Sequence, residues 1–108
     1  MALEVMWTAG AERDLLELHQ RLLSVFDDEA EIVSRVLEHP LESSLRLIQA
    51  HPEIAPRVRG VRRVRRRLLG PKSRYGLFYV VEKRGIVIHA LLDLRQNPEA
   101  IWKRLREL

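Results

Sequence analysis

Apolar residues recur every three or four positions through the first half of this 108-residue chain and every second position after Val61, so helices must be followed by strands. Ala11, Leu15, Leu18, Leu22 and Phe26 line one face of a first helix, for which Thr8 is the N-cap candidate. Val33, Val36, Leu37, Leu41, Leu45 and Ile48 form the stripe of a second helix, which Asp27 and Asp28 can cap. The two make a helical hairpin. Pro40 falls inside the second pattern, where it removes a hydrogen bond and collides with the preceding turn, so a kink or break is expected at Glu38–Pro40.

The second half reads as an antiparallel meander. Runs 61–69, 74–83 and 86–94 have strand length and are separated by Gly70-Pro71-Lys72-Ser73 and by Arg84-Gly85, which are hairpin-type connections. Tyr75, Leu77, Tyr79 and Val81 should share one face of the sheet, as should Ile86, Ile88, Ala90, Leu92 and Leu94. Those faces would cover the helices. With a short strand at 3–7 and a last helix opened by Asn97 and Pro98, the expected order is β-α-α-β-β-β-α in one domain spanning 1–108. The fold class is α+β, a small antiparallel sheet with a helical hairpin packed on it.

Charge divides at the same place. Residues 1–56 carry four arginines against eleven carboxylates, a formal −7, whereas residues 57–108 carry fifteen Lys or Arg against four carboxylates, a formal +11. Nine of those cations fall between Arg57 and Arg74 with no acidic residue among them, and they repel one another unless a partner relieves them. An acidic protein or a polyanion is the implied ligand. Strand alternation would set Arg63, Arg65 and Arg67 on one face about 7 Å apart, and Arg62 and Arg66 on the other.

Composition closes several routes. There is no cysteine, so disulfides and thiolate chemistry are excluded, and His19, His39, His51 and His89 are too scattered for a metal pattern. No cofactor is expected. The start of the chain lacks a basic segment with an apolar signal core, and no apolar run approaches the about 18 residues of a membrane span, so the expected location is the cytoplasm. Ser43, Ser44 and Ser73 have no paired base that would make a nucleophile.

The motifs VMWTAGAERDLLEL, HPEI followed by RGVRRVR, RYGLFYVV and IVIHALLDLRQNPEAIW, in this order, resemble the RelE/ParE superfamily of bacterial toxins, especially its ParE-type plasmid-stabilisation branch. The resemblance implies a toxin of a type II toxin-antitoxin pair, neutralised by a small acidic antitoxin that covers apolar grooves on the hairpin and the basic strand face. ParE-like members are known as inhibitors of DNA gyrase. RelE-like members cleave mRNA on the ribosome, and the resemblance puts Arg65 and Arg67 where those nucleases carry two lysines, with Arg95 near another of their cations. An arginine holds a phosphate but is a poor base at pH 7.

Other parts of the nuclease pattern are missing. Gly76 stands where the nucleases have an arginine, and beyond His89 there is no tyrosine or histidine. His89 is the remaining acid or base candidate, on a face expected to hold Val87, Leu91 and Asp93, although a strand histidine is commonly structural. Tyr75 and Tyr79 could stack bases but fit a core better. Trp102 is expected to anchor the last helix with Ile101 and Leu105. The reading that follows is a gyrase-directed toxin acting by binding, with Arg62, Arg63, Arg65, Arg66, Arg67 and Arg74 facing target or antitoxin. A ribosome-dependent endoribonuclease and a basic nucleic-acid-binding module are the alternatives.

Overall fold

The computed structural model describes residues 3–108, and it builds a four-stranded sheet with helices on both faces. In chain order the elements are β1 (Glu4–Trp7), α1 (Ala9–Val25), α2 (Ala30–Val33), a π-turn (Ser34–Glu38), α3 (His39–Ala50), β2 (Arg65–Leu69), β3 (Tyr75–Val81), β4 (Gly85–Asp93) and α4 (Pro98–Arg106). The sheet order is β1-β4-β3-β2. β2, β3 and β4 form the expected antiparallel meander, but β1 runs parallel to β4, with Glu4 opposite Gly85 and Trp7 opposite Ile88. The sheet is therefore mixed rather than antiparallel. A parallel neighbour needs a crossover, and α1 through β3 supply it.

Local chemistry accounts for the helix ends. The Thr8 hydroxyl accepts the Ala11 N–H at 3.1 Å, and Asn97 Oδ1 accepts Glu99 N–H at 2.9 Å, with Pro98 at the first helical position, where its missing N–H costs nothing. Asp27 and Asp28 do not cap the second helix. Both adopt left-handed backbone (φ 49° and 62°), which aspartate tolerates, and they make the turn while Glu29 takes the cap position. Near Pro40 the helix does not break. It widens into the π-turn, in which His39 N–H donates to Ser34 O five residues back, so the carbonyl that an α-helix would press against the Pro40 ring is displaced.

Two apolar layers sandwich the sheet. Leu18, Leu22, Leu37 and Ile48 from the helices meet Tyr75, Leu77, Tyr79, Ile86 and Ile88 on one face. Phe78, Val80, Ala90 and Leu92 meet Val64 and Leu105 of α4 on the other. Each fully buried leucine or isoleucine contributes roughly 1.5–3 kcal/mol, so neither layer is dispensable. The expected single face of β4 is split by a bulge. Phe78 pairs with Ala90 while Tyr79 pairs with Ile88, leaving His89 as the extra residue, and the alternation inverts there. Ile86 and Ile88 consequently face the hairpin and Ala90 and Leu92 face α4, while Val87 and Leu91, expected together beside His89, lie on opposite sides.

Tyr75 and Tyr79 are both fully buried, so neither is available to stack on a base. Their hydroxyls differ. Tyr79 Oη donates to the Pro52 carbonyl at 2.7 Å, whereas Tyr75 Oη has no partner among the described residues. Tyr79→Phe should therefore cost about 1 kcal/mol, and Tyr75→Phe should be neutral or stabilising by up to about 1 kcal/mol, since it deletes an unsatisfied buried group. Urea unfolding of both variants measures this, and equal losses at the two positions would contradict the assignment.

Candidate functional site

The arginine run divides differently from a continuous strand. β2 begins only at Arg65, because the chain turns through residues 59–63, with Gly60 (φ 81°) and Arg63 (φ 66°) in left-handed backbone. Arg63 leaves the expected row and donates from Nη2 to Glu82 Oε2 at 3.3 Å and to the Val81 carbonyl at 3.2 Å. Arg65 and Arg67, opposite Tyr79 and Leu77, point to the hairpin side. Arg65 Nη1 donates to the carbonyls of Glu53 and Ala55 at 3.1 and 2.7 Å, pinning the loop after α3, and Arg67 Nε reaches the buried Ser44 Oγ at 3.4 Å. These two expected docking residues are structural fasteners. An unpaired carbonyl is a strong acceptor, and a guanidinium on the neighbouring strand is the nearest donor.

Arg66 takes the other side, opposite Phe78, and is exposed. Among the described residues, Arg57, Arg59, Arg62 and Arg66 have no carboxylate within ion-pair distance. Arg66 borders an open apolar groove of about 380 Å³ between α4 and the sheet, floored by Val58, Phe78, Leu94, Ile101 and Trp102. Trp102 is 41% exposed and does not anchor α4 as expected; Leu105, with the partly buried Ile101, does that as expected. Trp102 instead covers the turn at Gly60, where a Cβ would lie 3.0 Å from its ring. Nothing that titrates near neutral pH lines this groove.

The remaining candidates lie elsewhere. Arg74 and Arg95 converge on Asp93 at the end of β4: Arg74 Nε and Nη2 donate to Oδ2 at 3.3 and 3.2 Å, and the Arg95 N–H donates to Oδ1 at 2.9 Å. Burial alone would raise the Asp93 pKa, but the Arg95 N–H and the Arg74 guanidinium together outweigh it and hold the carboxyl below its ordinary value. A carboxyl with a depressed folded-state pKa contributes stability above its unfolded pKa, and that contribution is lost as pH falls through the folded value. Asp93→Asn should cost about 1–3 kcal/mol at pH 7, and its difference from the parent should stay constant down to about pH 5 and shrink below about pH 4. A difference in urea stability that instead grew on acidification would refute this coupling.

His89 sits half-buried at the bulge on β4, a strand removed from the arginines of β2, and is not brought together with them. Burial pushes its imidazole below the ordinary value, with Glu82 opposing, so it is neutral at pH 7. At Gly76 a Cβ would meet Phe78 at 2.9 Å and Leu94 at 3.1 Å, so the arginine of the nuclease pattern has no room there. Sequence reasoning missed the Trp102 groove, the Asp93 cluster and an Asp14–Arg104 pair that ties α4 to α1. Asp93 ending an apolar strand beside Arg95 was the one readable hint. Among the described residues no group of His, Asp or Glu converges as a metal site, and no helix is long and apolar enough to cross a membrane. No family model matches this chain, and no curated protein matches it.

Proposed function

We propose that this chain is a toxin of the RelE/ParE type that acts by binding, with DNA gyrase as its target and an acidic antitoxin as its inhibitor. The observation that carries the binding half is the Trp102 groove: an apolar floor, the exposed Arg66 at its edge with no carboxylate in ion-pair distance among the described residues, and no group within it that titrates near neutral pH. Tryptophan and arginine are the residues on which interface energy concentrates. An acidic amphipathic helix would bury its apolar ridge there and set carboxylates against Arg62 and Arg66. The toxin half rests on the ordered motifs named above.

Against RNA cleavage, Arg65 and Arg67 are spent on backbone carbonyls and Ser44, and His89 lies apart from them. General acid-base cleavage needs those groups within about 3 Å of one reacting centre. In favour of a polyanion, Lys72, Arg74 and Arg95 border a small groove beside Asp93, so mRNA belongs in the same experiment.

Induction in a bacterial host should arrest growth, and the purified chain should inhibit supercoiling by gyrase while primer extension finds no new mRNA ends. New ends with unaffected gyrase would favour the nuclease. Neither effect, with salt-sensitive nucleic-acid binding, would favour the basic module. For the docking half, Trp7→Phe leaves Trp102 as sole indole reporter. A blocked helical peptide of leucine and glutamate should shift its emission to the blue, and Arg62→Glu with Arg66→Glu should weaken that binding about tenfold or more at low salt.

A further inference from the structure

A second groove lies on the opposite side of the sheet from Trp102, and its charge is reversed. It runs between α1 and the α2–α3 helix with a volume of about 580 Å³, floored by Leu15, Leu16 and Leu41 and rimmed by Glu12, Glu38 and Glu42. Leu16 is 57% exposed, well above what a core-facing helix position shows. The rim is under-compensated. Glu12 has no ion-pair partner among the described residues, Glu42 has only the exposed Arg46 at 3.8 Å, and Glu38 has His19 at 3.0 Å. Across residues 9–50 four arginines face nine carboxylates, and there is no lysine.

The π-turn enters the same wall, since Ser34 and Glu38 both line the groove. Such widened turns recur at functional sites because they re-aim side chains that an α-helix would direct elsewhere. The groove is not filled by the chain's own basic helix. Leu105 holds α4 on the far face of the sheet, and Arg104 ties it to Asp14.

We infer that this groove is a second docking site, for a basic amphipathic helix of another protein. A hairpin of two helices leaves a trough into which the apolar ridge of a third helix fits, and leucines at its floor with glutamates along both walls select an apolar stripe flanked by lysine or arginine. An acidic segment that suits Arg62 and Arg66 is repelled here, so the glutamate rim counts against the expectation that an acidic antitoxin covers this groove of the hairpin. The molecule therefore offers two faces of opposite sign and can hold two partners at once. The inference stands on the groove alone and does not require the toxin reading.

The test uses the full chain and a labelled, blocked peptide of about 15 residues, long enough to be helical on the surface, with leucines at i, i+3, i+4 and i+7 and lysines elsewhere. Its glutamate counterpart and a scrambled lysine peptide are the controls, read by fluorescence anisotropy. The ordered lysine peptide should bind, Glu12→Lys with Glu42→Lys should weaken it about tenfold or more, and Arg66→Glu should leave it unchanged. Both glutamates are exposed, and circular dichroism confirms that the variants keep their fold. Equal binding of the scrambled peptide, or indifference to the charge reversals, overturns the proposal. So does a concentration-dependent dimer that Leu16→Glu dissolves, because the occupant is then a second copy.

Discussion

Asp14→Ala is expected to destabilise the protein by about 3 kcal/mol, among the largest losses any single truncation should produce here. The reason begins with the length of β1. It pairs with β4 only as far as Ile88, so the edge of β4 beyond that point has no strand beside it. Asp14 closes the gap. One carboxylate oxygen accepts the Leu91 N–H at 3.1 Å, and the two oxygens together take a forked pair of bonds from Arg104 at 2.8 and 2.7 Å. The Asp14 side chain is only 10% exposed and that of Arg104 29%, so water compensates little when one partner is removed. The hydrogen bonds that Arg104 donates to Asp14, ahead of the opposing effect of burial, raise the Arg104 pKa further, so the cation stays charged at any working pH.

Of a total stability of about 5–15 kcal/mol, such a loss is large, and in a domain of this size it should lower Tm by roughly 12 °C or more. Asp14→Asn keeps an acceptor for Leu91 and should lose about half as much. A double-mutant cycle with Arg104→Ala should give a coupling of about 2 kcal/mol, and additivity within about 0.5 kcal/mol would show that the pair is not one unit. Amide exchange at Leu91 should accelerate in Asp14→Ala. The consequence reaches the docking groove, because the same pair fixes α4, which carries Trp102. Partner binding at that groove should weaken even though Asp14 is not part of it.

What could be read from the letters, and what could not, follows from the range of the forces involved. Thr8, Asn97 and Pro98 act within one helical turn, and the stripes of α1 and α3 and the runs of β3 and β4 act within one element, so each was visible, whereas the run from Val61 becomes strand only at Arg65. The bulge at His89 was not. Ile88 and Ala90 are both apolar and two apart, and only the pairing with β3 reveals that they face opposite ways. Arginine alternation likewise cannot show where a strand begins. The left-handed turn at Arg63 removed one member of the expected row, and backbone carbonyls 10 and 12 residues away claimed another, Arg65. Asp14 and Arg104 are separated by 90 residues, and no local pattern connects them. The α+β class was therefore legible, whereas the parallel β1–β4 pairing that makes the sheet mixed and the direction of each arginine were not, since both depend on contacts between distant strands.

Gly85→Ala is expected to cost about 3 kcal/mol or more, beyond the usual range for one added methyl group. The backbone at Gly85 has ordinary negative-φ geometry, so the requirement for glycine comes from space. Gly85 closes the β3–β4 turn, in which Glu82 N–H donates to its carbonyl at 2.7 Å, and it is at the same time the first β4 residue to pair with β1. A Cβ there would overlap the Glu4 carbonyl oxygen and lie 3.0 Å from that carbonyl carbon and 3.1 Å from the Glu4 nitrogen. All three atoms are backbone, so no side chain can swing aside to make room. Either the turn opens or β1 moves off the sheet. The second route strips Val5 and Trp7 from the core and frees the edge of β4 up to Ile88, whereas β2 and β3 keep their partners. Exchange should therefore rise first at the β1 amides and at Thr8, whose N–H donates to the Ile88 carbonyl at 3.1 Å, while β3 stays protected. A Gly85→Ala chain within about 0.5 kcal/mol of the parent, with β1 amides still protected, would mean that the β1–β4 register is not as described.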